Sequence, residues 1–275
     1  MSQAKSFACA VIPLFALAAT AFGSTYFTDF TGYSTANDLA GQGGWVANDP
    51  TANVTGLQNL GGEWGSRAAY IGYATPSINS VYVSHATSTP MVDTVGNVNG
   101  NFSALFRVID SDSNGGLDSS NRDTFGFRLE NAAGDNLFSF YLTPFAQNSS
   151  PETNNGFHTY AWSTGNNTPT VVLPGFASAE AGAPSYLFSV GFSQGAGTNV
   201  NFTASVGNQV FGGVIPNSNT EVIAKVGAFM NAYDTAATTG SNYMNFDNVS
   251  LVPEPSSALL GLLGASFALG RRRRA

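Results

Sequence analysis

Asp110-x-Asp112-x-Asn114-Gly115 is the pattern in this sequence with the most specific chemistry. Oxygen ligands at alternate positions, followed by a glycine at a sharp bend, can surround one hard cation, and Asp118 falls on the ninth position of such a loop. The twelfth position is Asn121, where a calcium loop usually carries a bidentate glutamate, and strand-like runs flank it instead of helices. Ca2+ is the cofactor this spacing admits, yet a polar strand connection rich in Asp and Asn uses the same letters. Glycoside hydrolysis needs two carboxylates about 5 to 9.5 Å apart across the scissile bond. Glu63, Glu130, Glu152, Glu180 and Glu221 stand singly, and Asp118 with Asp123 falls in a loop, so the chain reads as non-enzymatic. His85 and His158, the only histidines, lack a nucleophile-elbow context and read as ordinary strand residues.

Sugar binding asks for an aromatic platform beside Asn, Asp or Gln side chains. Trp45, Trp64 and Trp162 border glycine-rich or polar loops and are the candidate glycan contacts; Tyr73, Tyr82 and Tyr141 lie on strands with one face open to solvent. The same rings can equally fill a core or seal its ends. Sequons such as Asn101-Phe102-Ser103 and Asn201-Phe202-Thr203 carry no weight in so Asn-, Ser- and Thr-rich a chain.

The elements that position these residues lie between two unusual termini. Lys5 precedes an apolar segment over 7–17, and small residues follow at Ala18, Ala19, Ala21 and Gly23, which reads as a secretory signal peptide over 1–23. Cys9, inside that segment, is the single cysteine, so a mature chain has no disulfide or thiol chemistry. At the other end Pro253-Glu254-Pro255 breaks any regular structure. An uncharged apolar run over 258–269 follows, and then Arg271, Arg272, Arg273 and Arg274. As a helix from 256 to 270 the run would be roughly 22 Å long at ~1.5 Å per residue. That is short for a lasting span. The arginines would hold its far end on the cytoplasmic side.

This arrangement resembles the PEP-CTERM proteins, whose C-terminal sorting signal joins a Pro-Glu-Pro motif, a short transmembrane segment and a basic cluster. The likeness covers 252–275. It implies export across the inner membrane of a Gram-negative bacterium, a transient membrane stage, and processing by an exosortase as partner. The destination it implies is the cell envelope, cell surface or extracellular matrix, among exopolysaccharide.

Between the signals, 24–251 holds five basic side chains (Arg67, Arg107, Arg122, Arg128 and Lys225) against sixteen acidic ones, a net charge of −11. An acidic surface opposes nucleic acid and anionic membranes as partners and leaves cations and neutral sugars. Short β-branched and aromatic runs alternate with Gly, Asn, Asp, Ser and Pro clusters, and no stretch keeps a helical period. About a dozen strands at spacings of 8 to 15 residues predict one all-β domain, an antiparallel two-sheet sandwich. The clearest strand is 101–109, with Phe102, Ala104, Phe106 and Val108 on one face. A hairpin turning near Ala133-Gly134 should set Phe125, Phe127 and Leu129 opposite Leu142, Phe140 and Phe138; Gly207-Asn208 marks another.

Phe30-x-x-Tyr33 through Gly41-Gln42-Gly43-Gly44-Trp45, the strand Arg122-Asp123-Thr124-Phe125-Gly126-Phe127, and the closing Phe246-Asp247-Asn248-Val249-Ser250-Leu251 resemble concanavalin A-like lectin/glucanase jelly rolls. The likeness implies a curved sandwich whose concave face often, not always, meets carbohydrate; the terminal segments would flank it with a signal helix and a short C-terminal membrane helix. The retaining glucanases of that fold carry Glu-x-Asp-x-x-Glu on one strand, a spacing this sequence lacks. A glycan-associated surface protein is the reading that results. A purely structural surface protein and a laminarinase-type hydrolase are its competitors.

Overall fold

Period-two alternation of large apolar and small polar residues gives each strand one dry face, and two such faces close on each other. The computed structural model describes residues 26–72, 76–90, 100–109, 123–144, 157–165, 170–177, 184–232 and 242–252. The proposed signal peptide, the sorting motif with its apolar run and arginines, and the calcium loop with Asp110, Asp112, Asn114 and Asp118 lie outside these residues, as does Tyr73.

Fifteen strands are described: β1 (Tyr26–Thr28), β2 (Trp45–Ala47), β3 (Thr55–Gln58), β4 (Ala68–Gly72), β5 (Ser80–Pro90), β6 (Gly100–Ile109), β7 (Thr124–Glu130), β8 (Asn136–Pro144), β9 (Phe157–Ser163), β10 (Thr170–Ala177), β11 (Tyr186–Gln194), β12 (Val200–Val206), β13 (Gln209–Ile215), β14 (Val222–Asn231) and β15 (Tyr243–Val252). One sheet runs β13-β12-β11-β6-β15-β4-β3, with β1 also against β15, and the other runs β10-β9-β8-β7-β14-β5-β2. The all-β, two-sheet antiparallel architecture expected from the sequence is therefore the observed one. The last two strands close both layers: β14 inserts between β5 and β7, and β15 between β4 and β6.

The aromatic hairpin has the expected register, with Phe125 opposite Leu142, Phe127 opposite Phe140 and Leu129 opposite Phe138. One detail escapes the alternation. A bulge brings Glu130 opposite Asn136, so that Leu137 turns into the core and Asn136 faces out. The Gly207-Asn208 hairpin joins β12 to β13 with Val206 opposite Gln209, and Gly207 takes the positive φ of 56° that the tight turn needs.

The two layers meet through phenylalanine. Phe127 of β7 lies 5.7 Å from Phe102, 6.2 Å from Phe106, 6.0 Å from Phe188 and 6.3 Å from Phe246, all on the opposite sheet. Phe140 stacks on Phe188 at 4.1 Å, and Phe138 meets Phe202 at 4.9 Å.

Candidate functional site

With Phe125, Phe127 and Leu129 turned inward, the alternate residues Gly126 and Arg128 must face out from the seven-stranded sheet. Register carries the same face across neighbouring strands. Gly126 lies opposite Tyr141 of β8 and Phe229 of β14, and Phe229 lies opposite Tyr82 of β5. Ser80, Tyr82, Arg128, Asn136, Ser139, Tyr141, Gly165, Phe229 and Asn231 line a cleft of about 240 Å³ on this face.

Two glycines lie beneath its rings. A Cβ on Gly126 would stand 2.6 Å from Cζ of Phe229, and one on Gly227 would stand 2.6 Å from Cε2 of Tyr82. Both rings thus lie down over bare backbone where a side chain would lift them. Tyr141 meets Phe229 edge-on at 5.2 Å, and its hydroxyl is 3.2 Å from Ser163 Oγ. The polar rim is pre-ordered. Asn136 Nδ2 donates to the Gly165 carbonyl at 2.6 Å, Ser139 Oγ donates to Asn136 Oδ1 at 2.9 Å, and Ser80 Oγ donates to Asn231 Oδ1 at 3.0 Å.

Arg128 is the cation of the cleft. Its Nε is 2.8 Å from Glu130 Oε1, and its guanidinium stands 5.9 Å from the Tyr82 ring centroid. Glu130 is buried, so the pair is compensated and the cleft is close to electrically neutral. Burial, then the nearby Glu130 charge, pushes the Tyr82 hydroxyl above its ordinary range, which keeps it protonated. Phe229 is buried beneath the half-buried rings of Tyr82 and Tyr141, whose exposed parts, with the amides, hydroxyls and one held guanidinium around them, offer contact and directional hydrogen bonds to a polyhydroxylated ring.

The tryptophans are a correction. Trp45 is 1 % exposed, packed among Tyr26, Phe30 and Phe246, and Trp64 is 4 % exposed, with the Arg107 guanidinium 5.4 Å from its ring centroid. Trp162 packs edge-on against Phe202 at 4.8 Å and serves the core. Trp45 and Trp64 thus offer no open platform, and Trp162 is half-buried against the core. The Gly-rich loop closes over Trp45 because Gln42 staples it: its Nε2 donates to the Ser34 and Asp38 carbonyls at 3.0 and 2.8 Å, and its Oε1 accepts from the Ser34 amide at 2.7 Å. His85 is a strand residue as read, 3.0 Å through Nε2 from the Gly43 carbonyl oxygen.

The opposite outer face carries a structural polar cluster. Arg107 Nε donates to Asn245 Oδ1 at 3.0 Å, and Asn245 Nδ2 donates to Gln58 Oε1 at 3.0 Å, tying β6, β15 and β3 together beneath Trp64. Next along β15, burial raises the Asp247 carboxyl to about 7, against the pull of the Asn248 amide and with a further push from Asp29. Among the described residues no three His, Cys, Asp or Glu side chains gather as a metal site.

No family model matches the chain, and none of the curated proteins does. Solved structures similar to it include lectin II from Ulex europaeus, at 8 % identity and TM-score 0.48, over 84 % of this chain and 99 % of that one. The CBM2 module of Lactobacillus casei BL23 phage J-1 evolved Dit is 12 % identical, at TM-score 0.46, over 84 % of this chain and 96 % of that chain. An alginate lyase, Aly36B, solved as a mutant with an alginate trisaccharide, is 11 % identical, at TM-score 0.47, over 83 % and 98 %. At such distance ligand and chemistry rest on the cleft itself.

Proposed function

We propose that this chain is an exported, non-enzymatic surface or matrix protein whose cleft on the seven-stranded sheet binds a neutral glycan, such as a segment of exopolysaccharide. The observation that carries the reading is the cleft's composition: Phe229 laid over Gly126, Tyr82 over Gly227 and Tyr141 edge-on to Phe229, with Asn136, Asn231, Ser139 and Arg128 around them. Neutral sugar is favoured over acidic because Glu130 offsets Arg128 and because 24–251 carries a charge of −11. The hydrolase alternative finds little support here, since the residues lining the cleft hold no pair of carboxylates. Affinity electrophoresis of the full chain through gels containing a panel of neutral and acidic polysaccharides tests the reading. Retardation by at least one neutral polysaccharide is expected, unchanged by adding or chelating Ca2+ if the calcium loop is only a strand connection. Free migration in every gel would overturn it.

Export and sorting rest on the termini. In this reading the segment 1–23 directs secretion, and Pro253, Glu254 and Pro255 mark the tail for exosortase. Changing these three residues to alanine should leave a full-length chain in the membrane fraction, read by immunoblot. A variant with the size and release of the parent would count against the signal.

A further inference from the structure

Among the described residues five strands lie at a sheet edge, and four of them are blunted against pairing with another chain: β1, against β15 alone, is three residues long. β2 and β3 are three and four residues long. β10 contains Pro174 and a register break between Val172 and Phe176. Short strands, prolines and bulges are the usual protections of an edge. β13 has none of them: it runs seven residues in unbroken register with β12, without proline or charge.

Its sequence, Gln209-Val210-Phe211-Gly212-Gly213-Val214-Ile215, is also close to self-complementary about Gly212. Pairing two copies antiparallel at that centre sets Val210 opposite Val214 of the second copy, both on the outer face. It sets Phe211 opposite Gly213 of the second copy on the inner face, where each chain's own Trp162 and Phe202 already cover Gly213 and Phe211 packs on Phe140, so neither residue obstructs the pairing. Val210 is 69 % and Val214 45 % exposed in the isolated chain, which is far from the polar alternation a solvated edge would show. The neighbouring outward residues are Asn201, Thr203 and Ser205 on β12 and Ser189, Gly191 and Ser193 on β11. An uncharged surface of this kind brings no like charges together when an acidic protein meets its own copy.

We propose that two copies of this chain join through β13 in antiparallel register about Gly212, extending the eight-stranded sheet across a twofold axis. The proposal is independent of what the cleft binds. In a Cys9→Ser background, a Val210→Cys/Val214→Cys double variant of the full chain should form a disulfide-linked dimer under mild oxidation, seen on a non-reducing gel. Within one strand these positions are roughly 13 Å apart, too far to bridge internally. Each single variant should stay largely monomeric, because its own twofold mate is equally distant. Sedimentation of the parent chain should show a dimer that Val210→Lys/Val214→Lys weakens at least tenfold, with the melting temperature of the variant matching that of the parent at dilutions where both are monomeric. A monomeric parent, a lysine variant that dimerises equally well, or single cysteines that cross-link as readily as the pair would overturn the proposal.

Discussion

Truncating Phe127 to alanine should lower the unfolding free energy by about 3 to 5 kcal/mol, measured by chemical denaturation of the full chain. The ring sits at the middle of the sandwich, on β7, and touches Phe102 and Phe106 of β6, Phe188 of β11 and Phe246 of β15. Each aromatic pair adds roughly 0.5 to 1.5 kcal/mol beyond the area it buries. The surrounding rings come from two sheets and cannot collapse onto a cavity without moving whole strands. Leu187→Ala, at an exposed outward position of β11, should cost less than about 1 kcal/mol. Equal losses for the two would mean that the layers are not held together where the aromatic network places them.

Asp247→Asn should do the reverse and stabilise the chain at neutral pH. Asp247 is 1 % exposed, and burial raises its carboxyl from an ordinary 3.8 to about 7. A carboxyl that holds its proton more tightly when folded gives stability that is whole below about pH 4 and is lost as pH rises towards 7. At about 1.4 kcal/mol per pH unit the full interval would give about 4 kcal/mol, which solvent screening reduces to a gain of roughly 2 kcal/mol above pH 7. Asparagine keeps the Oδ1 that accepts the Asn248 amide at 2.7 Å and removes the charge. The difference between variant and parent should therefore grow from pH 4 to pH 7 and then level off. A difference that does not change with pH would show that Asp247 is ionised in the fold without penalty.

Strands whose own alternation defines a face were legible from the sequence, and β6 and the β7–β8 hairpin have the faces and register read from it. β2 was not, because three residues after a glycine-rich turn have no period to detect. Trp45 and Trp64 were candidate glycan contacts because of the loops beside them, with core packing left open, and packing is what they do: Gln42 fastens the loop over one and Arg107 of β6 covers the other. Tyr82 and Tyr141 were legible as outward aromatics. Arg128, Asn136, Phe229 and Asn231 were not linked to them, since the link depends on the sheet order β8-β7-β14-β5, a non-local fact. The one local clue was Gly126 and Gly227, glycines at outward positions of otherwise well-formed strands, which mark a ring lying across backbone.

Whether the glycan sits in this cleft is settled by titrating an oligosaccharide of the retarding polysaccharide into the parent chain and into Tyr141→Ala. Losing an anchoring aromatic ring costs upward of about 1.4 kcal/mol, so affinity should fall at least tenfold while the melting temperature stays near that of the parent. Undiminished affinity in Tyr141→Ala would place the sugar elsewhere on the molecule.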